Sequence, residues 1–252
     1  MDNEKQMKGY ETPEGYNAND YQKLVAFLEQ TDEEGVKNGE KLSENYNPND
    51  PTTWGRWFRW IDTDNGLRIQ SIILYTCNLT GNLDVSGCTA LEHLEADDNY
   101  ITELNVSGCT ALEHLECDHN NLFILDVRSC CNLEFLDCSF NALLALGVIG
   151  CTALKHLKCD HNYLTTLVVR GCTALTSLDC QFDNLSELDV NGCAALATLW
   201  CNDNPLIILD VSDCVSLKYL NCRKTFMCLF DVKGCPPKCQ IRLHRVKPQN
   251  IV

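Results

Sequence analysis

LEHLECDHNNLFILDVRSC, from Leu112 to Cys130, gathers two cysteines, two histidines, two glutamates and two aspartates within nineteen residues. Such a set suggests a catalytic or metal centre, provided the side chains converge. Its internal order points elsewhere. LEHLECDHNN reads L-x-x-L-x-C-x-x-N-x, and LFILDVRSCCN, which starts at Leu122, reads L-x-x-L-D-V-x-x-C-x-x. The second half copies the first, with valine replacing the strand cysteine and cysteine replacing the loop asparagine. Each half alternates apolar and polar residues over a few positions, the pattern of a short strand with one buried face.

The pattern recurs every 21 residues without a gap from Leu83 to Val232. Leucine stands at 91, 112, 133, 154, 175, 196 and 217, and valine at 85, 106, 127, 148, 169, 190, 211 and 232. Asn99, Asn120, Asn141, Asn162 and Asn204 form a third line, with Asp183 and Thr225 as substitutes. A unit this short cannot bury its own apolar face, so the units must stack. The expected fold is a mainly β solenoid with a right-handed coil. Two short parallel sheets enclose a leucine interior, and little helix lies outside an N-terminal cap.

Three regions follow. Residues 1–71 form the cap: NDYQKLVAFLEQ places Leu24, Phe27 and Leu28 at helical spacing. NPNDPTTWGRWFRW then delivers Trp54, Trp57, Phe58 and Trp60, read as packing onto the first coil, with an exposed ligand platform as the alternative. Residues 72–235 hold the repeats, and residues 236–252 a C-terminal cap and tail. The repeated motif resembles the leucine-rich repeat family, specifically its short 21-residue bacterial class and the internalins that carry a cysteine ladder. That resemblance implies a non-catalytic solenoid that binds a protein or surface glycan, on a bacterial cell surface or secreted. It implies no cofactor.

Composition narrows the partners. A net charge of −15 repels phosphate backbones and argues against nucleic acid. No apolar run is long enough to span a membrane. The first twenty residues are polar, so the chain is read as cytoplasmic or as a mature form whose export signal has been removed.

The cysteines fall into two ladders. Cys117, Cys138, Cys159, Cys180, Cys201 and Cys222 take an inward strand position, where a short coil has room only for a small apolar group. Cys88, Cys109, Cys130, Cys151, Cys172, Cys193, Cys214 and Cys235 take the turn position. Neighbouring in-register strands keep Cβ atoms about 4.8 Å apart, wider than a disulfide prefers. Cys77, Cys131, Cys228 and Cys239 fall outside both ladders. Cys228, Cys235, Cys239 and His244 are read as a zinc site, a capping disulfide or plain thiols. The asparagine ladder is expected to satisfy backbone groups that turn inward at the strand ends.

What remains faces outward from the first half-repeat. One column is His93, His114, Phe135, His156, Ser177, Thr198 and Tyr219, and the next is Glu95, Glu116, Asp137, Lys158, Asp179, Trp200 and Asn221. Beyond the cysteines come Asp97, Asp118, Ser139, Asp160, Gln181, Asn202 and Arg223, also read as outward. Phe135, Asp137, Phe140, Lys158, Asp179, Phe182, Trp200 and Tyr219 are the candidate ligand-binding residues, because aromatics and charges dominate interface hot spots. Trp200 is expected to expose its indole. Apolar residues 124, 145 and 208 make the opposite strand a competing face. His93, Glu95, His114 and Glu116 form a two-by-two block that is either a metal site or a solvated acidic patch. A metal-binding protein and a structural surface-layer component are the alternative functions.

Overall fold

The computed structural model describes residues 10–226, 229–231 and 236–243. The chain is a solenoid. Its front is one ten-stranded sheet: Phe58–Ile61, Arg68–Ile73, His93–Glu95, His114–Glu116, Phe135–Asp137, His156–Lys158, Ser177–Asp179, Thr198–Trp200, Tyr219–Cys222 and Gln240–Leu243, hydrogen-bonded in that order. The first pair is antiparallel and every later pair parallel. Register advances by 21 residues, so His93 sits opposite His114, Leu94 opposite Leu115 and Glu95 opposite Glu116. Equivalent side chains therefore stack in columns.

The second half-repeats line the back. Their strands pair only two by two: Thr80–Asp84 with Tyr100–Asn105, Ile124–Asp126 with Ala145–Gly147, Thr166–Val168 with Glu187–Asp189, and Ile208–Asp210 with Leu229–Asp231. Single bonds such as Tyr163 N–H to Leu143 O (3.0 Å) carry the stacking between these pieces. The back is thus an interrupted sheet, whereas the front is continuous.

Among the described residues, leucines from both halves, the valine line and both cysteine ladders fill the interior with little or no exposure. The thiols also tie coil to coil. Cys117 Sγ donates to Asp137 O (3.5 Å) and Cys138 Sγ to Lys158 O (3.4 Å), each toward the next coil. In the turn ladder, Cys109 Sγ donates to Val85 O (3.1 Å) and Cys130 Sγ to Val106 O (3.5 Å), each toward the preceding one. The sixteen cysteines of the described residues are thiols. Cys228, Cys235 and His244 lie outside the described residues, and so does the zinc or disulfide reading that needs them.

The six front strands from His93–Glu95 to Thr198–Trp200 are only three residues long, and three positions beyond each one the backbone turns left-handed. Asp98, His119, Phe140, His161, Phe182, Asp203 and Lys224 all have φ between 50° and 57°. Residues other than glycine rarely adopt this region, and at five of the seven turns the asparagine that follows holds it. Asn120 Nδ2 donates to Ala96 O (2.8 Å), Cys117 O (3.2 Å) and Asp118 O (3.1 Å), while its Oδ1 accepts from Ile101 N (2.9 Å). Asn99, Asn141, Asn162 and Asn204 repeat the arrangement.

The N-terminal end is closed by α1 (Ala18–Leu28) and α2 (Asn38–Leu42). Asn17 caps α1, accepting from Asn19 N and Asp20 N, and Leu24, Val25, Phe27 and Leu28 are buried. Trp54 is fully buried between Tyr21, stacked at 5.5 Å, and Phe58, edge-on at 5.8 Å. Trp60 meets the Tyr16 ring edge-on at 4.9 Å. Trp54 is thus part of the core, and Trp57 and Trp60 pack half-buried against it. Asp20, with no exposure, accepts two bonds from Arg68 (2.7 and 2.9 Å) and one from Ile69 N (3.0 Å). Arg68 also donates to Gly87 O (3.1 Å), which ties the cap to the first full coil.

Candidate functional site

The front sheet presents columns of side chains whose chemistry changes along the solenoid. At its N-terminal end the His93 and His114 rings lie parallel at 4.3 Å, and Phe135 stacks on His114 at 4.6 Å. His93 Nε2 contacts Glu95 Oε1 at 2.9 Å and His114 Nε2 contacts Glu116 Oε1 at 2.7 Å. Lys158 reaches over the Phe135 ring at 5.6 Å and bonds Asp137 at 2.8 Å. Farther along, Trp200 leans on Tyr219 at 5.8 Å, and the Arg242 guanidinium lies 5.4 Å above the Tyr219 ring.

A second stack runs along the left-handed turn. His119, Phe140, His161 and Phe182 follow one another at 4.4, 4.2 and 4.5 Å. Positive φ turns these side chains outward beside the sheet. His119 Nδ1 pairs with Asp118 (2.9 Å) and His161 Nδ1 with Asp160 (2.7 Å). Lys224 ends the column 6.0 Å from the Phe182 ring and bonds Asp203 at 2.6 Å.

Between the stacks lies negative charge. Burial, with Asp118, Glu116 and Asp98 nearby, pushes Asp97 up to about 6. Burial and the Asp160 charge push Asp179 up to about 6 as well. Burial and Asp137 raise Asp118, partly offset by its bond to His119. Burial is the first cause in all three, and neighbouring carboxylates add to it.

No family model and no curated protein matches this sequence. Among solved structures, YopM, a leucine-rich effector protein from Yersinia pestis, matches with a TM-score of 0.58 at 23% identity, over 69% of this chain and 48% of that one. The fold is that of a leucine-rich repeat solenoid. The functional domain of InlJ from Listeria monocytogenes, which includes a cysteine ladder, matches at 23% identity over 69% of this chain and 53% of its own, with a TM-score of 0.47. A leucine-rich repeat protein of Leptospira interrogans matches at 18% identity over 70% of this chain and 62% of its own, with a TM-score of 0.41. The chain spans about half the length of the first two proteins.

Within this leucine-rich repeat, the eight candidate binding residues share the front but not the same exposure. Phe140 and Phe182 are each 43% exposed and Lys158 is exposed, whereas Phe135, Asp179, Trp200 and Tyr219 are half-buried. Asp137 corrects the outward reading. It is only 7% exposed, closed over by Lys158 and by Ser139, whose hydroxyl donates at 2.6 Å. Ser139, Asp160 and Asn202 are buried too. Strict alternation fails there because the strand has ended and the chain is already bending into the left-handed turn. Trp200 likewise shows less of its indole than expected, since the next coil's Tyr219 covers part of it.

His119 and His161 were absent from the candidates. The alternation His-Phe-His-Phe at 119, 140, 161 and 182 was the available signal, spaced by the repeat itself. On the back, Ile124 (66% exposed) and Leu144 (62%) stand with Phe123, Tyr163, Ile207 and Ile208 as exposed apolar residues. The ladder thiols of the described residues are buried. Burial pushes Cys109 and Cys151 up to about 12, and it raises Cys117, Cys138, Cys159, Cys180 and Cys201 well above the usual thiol value.

Proposed function

We propose that this chain is a non-catalytic scaffold whose front sheet holds a basic segment of a partner protein. The observation that carries this reading is the pairing, along one unbroken sheet and the turns that edge it, of stacked aromatic columns with a strip of neighbouring carboxylates. An arginine or lysine side chain meets carboxylates beside exposed aromatic edges there, so its charged head finds acceptors while its methylenes pack on apolar surface. Within the chain, Lys158 over Phe135 and Lys224 against Phe182 already make such contacts. Solenoids characteristically bind along extended surfaces of this kind.

Placement on a bacterial cell surface or in the secreted fraction belongs to the same proposal. Its support is the shared fold with YopM, which is an effector protein. Among the described residues no helix is long and apolar enough to cross a membrane.

The test uses arginine-rich and lysine-rich peptides, then partners captured with the whole chain. Trp200→Ala should weaken binding by about 2 kcal/mol, and Ile208→Ala on the back should leave it unchanged. Affinity should also fall with added salt, as it does for exposed charge pairs. Loss of binding in Ile208→Ala with none in Trp200→Ala would place the interface on the back, where the most exposed aliphatic side chains lie.

A further inference from the structure

We propose that His93, His114 and Glu95 form a binding site for one divalent late transition-metal ion, zinc by preference, with Glu116 beside it. The inference is independent of the partner-binding reading. It starts from register: the parallel pairing of His93–Glu95 with His114–Glu116 places two imidazoles and two carboxylates in a two-by-two block. The rings are parallel to within 4° and 4.3 Å apart. Each Nε2 hydrogen-bonds its own strand's glutamate, at 2.9 and 2.7 Å, so both nitrogens are directed toward carboxylate oxygens. One donor atom from each of His93, Glu95 and His114 lies within 4.8 Å of the other two.

A tetrahedral zinc ion with bonds of about 2.0–2.1 Å needs ligand atoms roughly 3.3 Å apart. The His93–Glu95 contact lies a few tenths of an ångström inside that distance. Rotation of the two rings closes the remaining gap between strands. In the hydrogen-bonded state an Nε2 proton sits between nitrogen and carboxylate. Metal binding takes the Nε2 lone pair: a neutral ring shifts its proton to Nδ1 through solvent with no net release, and an imidazolium gives its Nε2 proton up to solvent. Two nitrogens and one or two oxygens suit zinc and its neighbours rather than calcium or magnesium, which take oxygen ligands alone.

The surroundings favour the charge. Asp97 and Asp118 stand one column away on the same two strands' continuations, so the neighbourhood is acidic. On the C-terminal side the Phe135 ring lies flat on His114 and excludes water from that flank. On the other side His93 pairs with Ser71, a small residue that leaves an approach open. His156, two coils from His114 in the same column, has no second imidazole stacked on it and meets Phe135 at 6.3 Å, which makes it the natural control.

The experiment titrates Zn²⁺ and Co²⁺ into the whole chain after chelation, with thiols kept reduced. Calorimetry reads stoichiometry and affinity, and absorption reads the cobalt ligands. The expected result is one ion per chain and no thiolate-to-cobalt charge-transfer band. Affinity should fall by about tenfold or more in His93→Gln and in His114→Gln, with His156→Gln like the parent. Circular dichroism establishes that each variant keeps its fold. Three results overturn the site: no saturable binding by the parent, binding unchanged in both variants, or a thiolate band.

Discussion

Asp183 occupies the one position of the asparagine ladder where a carboxyl replaces the amide, and replacing it with asparagine should stabilise the protein in a pH-dependent way. Its Oδ1 accepts from Leu164 N at 3.1 Å. Oδ2 is buried without a hydrogen bond. The flanking Asn162 and Asn204 each donate three bonds from the corresponding atom. Burial, followed by the Asp160 and Asp179 charges, pushes Asp183 up to about 8. The folded chain therefore keeps a proton that the unfolded chain releases near pH 4, so the native state binds more protons between those values. Stability falls across that window by about 1.4 kcal/mol per pH unit and levels off above the folded value.

The ceiling at pH 8 is about 5 kcal/mol, and partial hydration of the ionised site leaves about 2–3 kcal/mol. Asp183→Asn removes that penalty and donates to the carbonyls that an ionised carboxylate repels. Urea unfolding of parent and variant at pH 5 and pH 8 is the assay. The variant should gain about 2 kcal/mol more at pH 8 than at pH 5. An equal gain at both values, or a loss at pH 8, refutes the reasoning.

Asn120→Ala strips four bonds from a buried turn, leaving Ile101 N and Ala96 O short of a partner. It should cost about 2–4 kcal/mol in the same assay. Arg68→Leu leaves the Asp20 carboxylate buried and uncompensated, and denaturant melts should register a loss of about 3–5 kcal/mol. Thiol titration of the native, reduced chain should find Cys131 early and Cys77 and Cys239 more slowly, with the ladder thiols of the described residues reacting only after denaturation. Rapid native reaction of Cys138 or Cys159 would contradict their burial.

Much of this architecture is legible in the sequence because every coil repeats one environment. Leu112, Leu115, Cys117 and Asn120 recur at fixed spacing since each must fill the same small interior or satisfy the same inward-turning backbone. The helix around Leu24–Leu28 is legible for the same reason, its apolar residues falling on one face. The front surface is different. Whether Asp137 or Trp200 meets solvent depends on Lys158, Ser139 and Tyr219, which reach it across the stack or around the turn. Alternation along one strand contains no information about those neighbours, and it lapses after three residues, where His119, Phe140 and His161 take up left-handed backbone. The high proton affinity of Asp183 likewise comes from burial and from Asp160 and Asp179, charges that only the stacking of coils brings near. Sequence periodicity determined the interior because interior positions are set by volume and backbone hydrogen bonding within each coil. The tertiary structure alone decided the surface, where exposure, stacking and charge are properties of adjacent coils taken together.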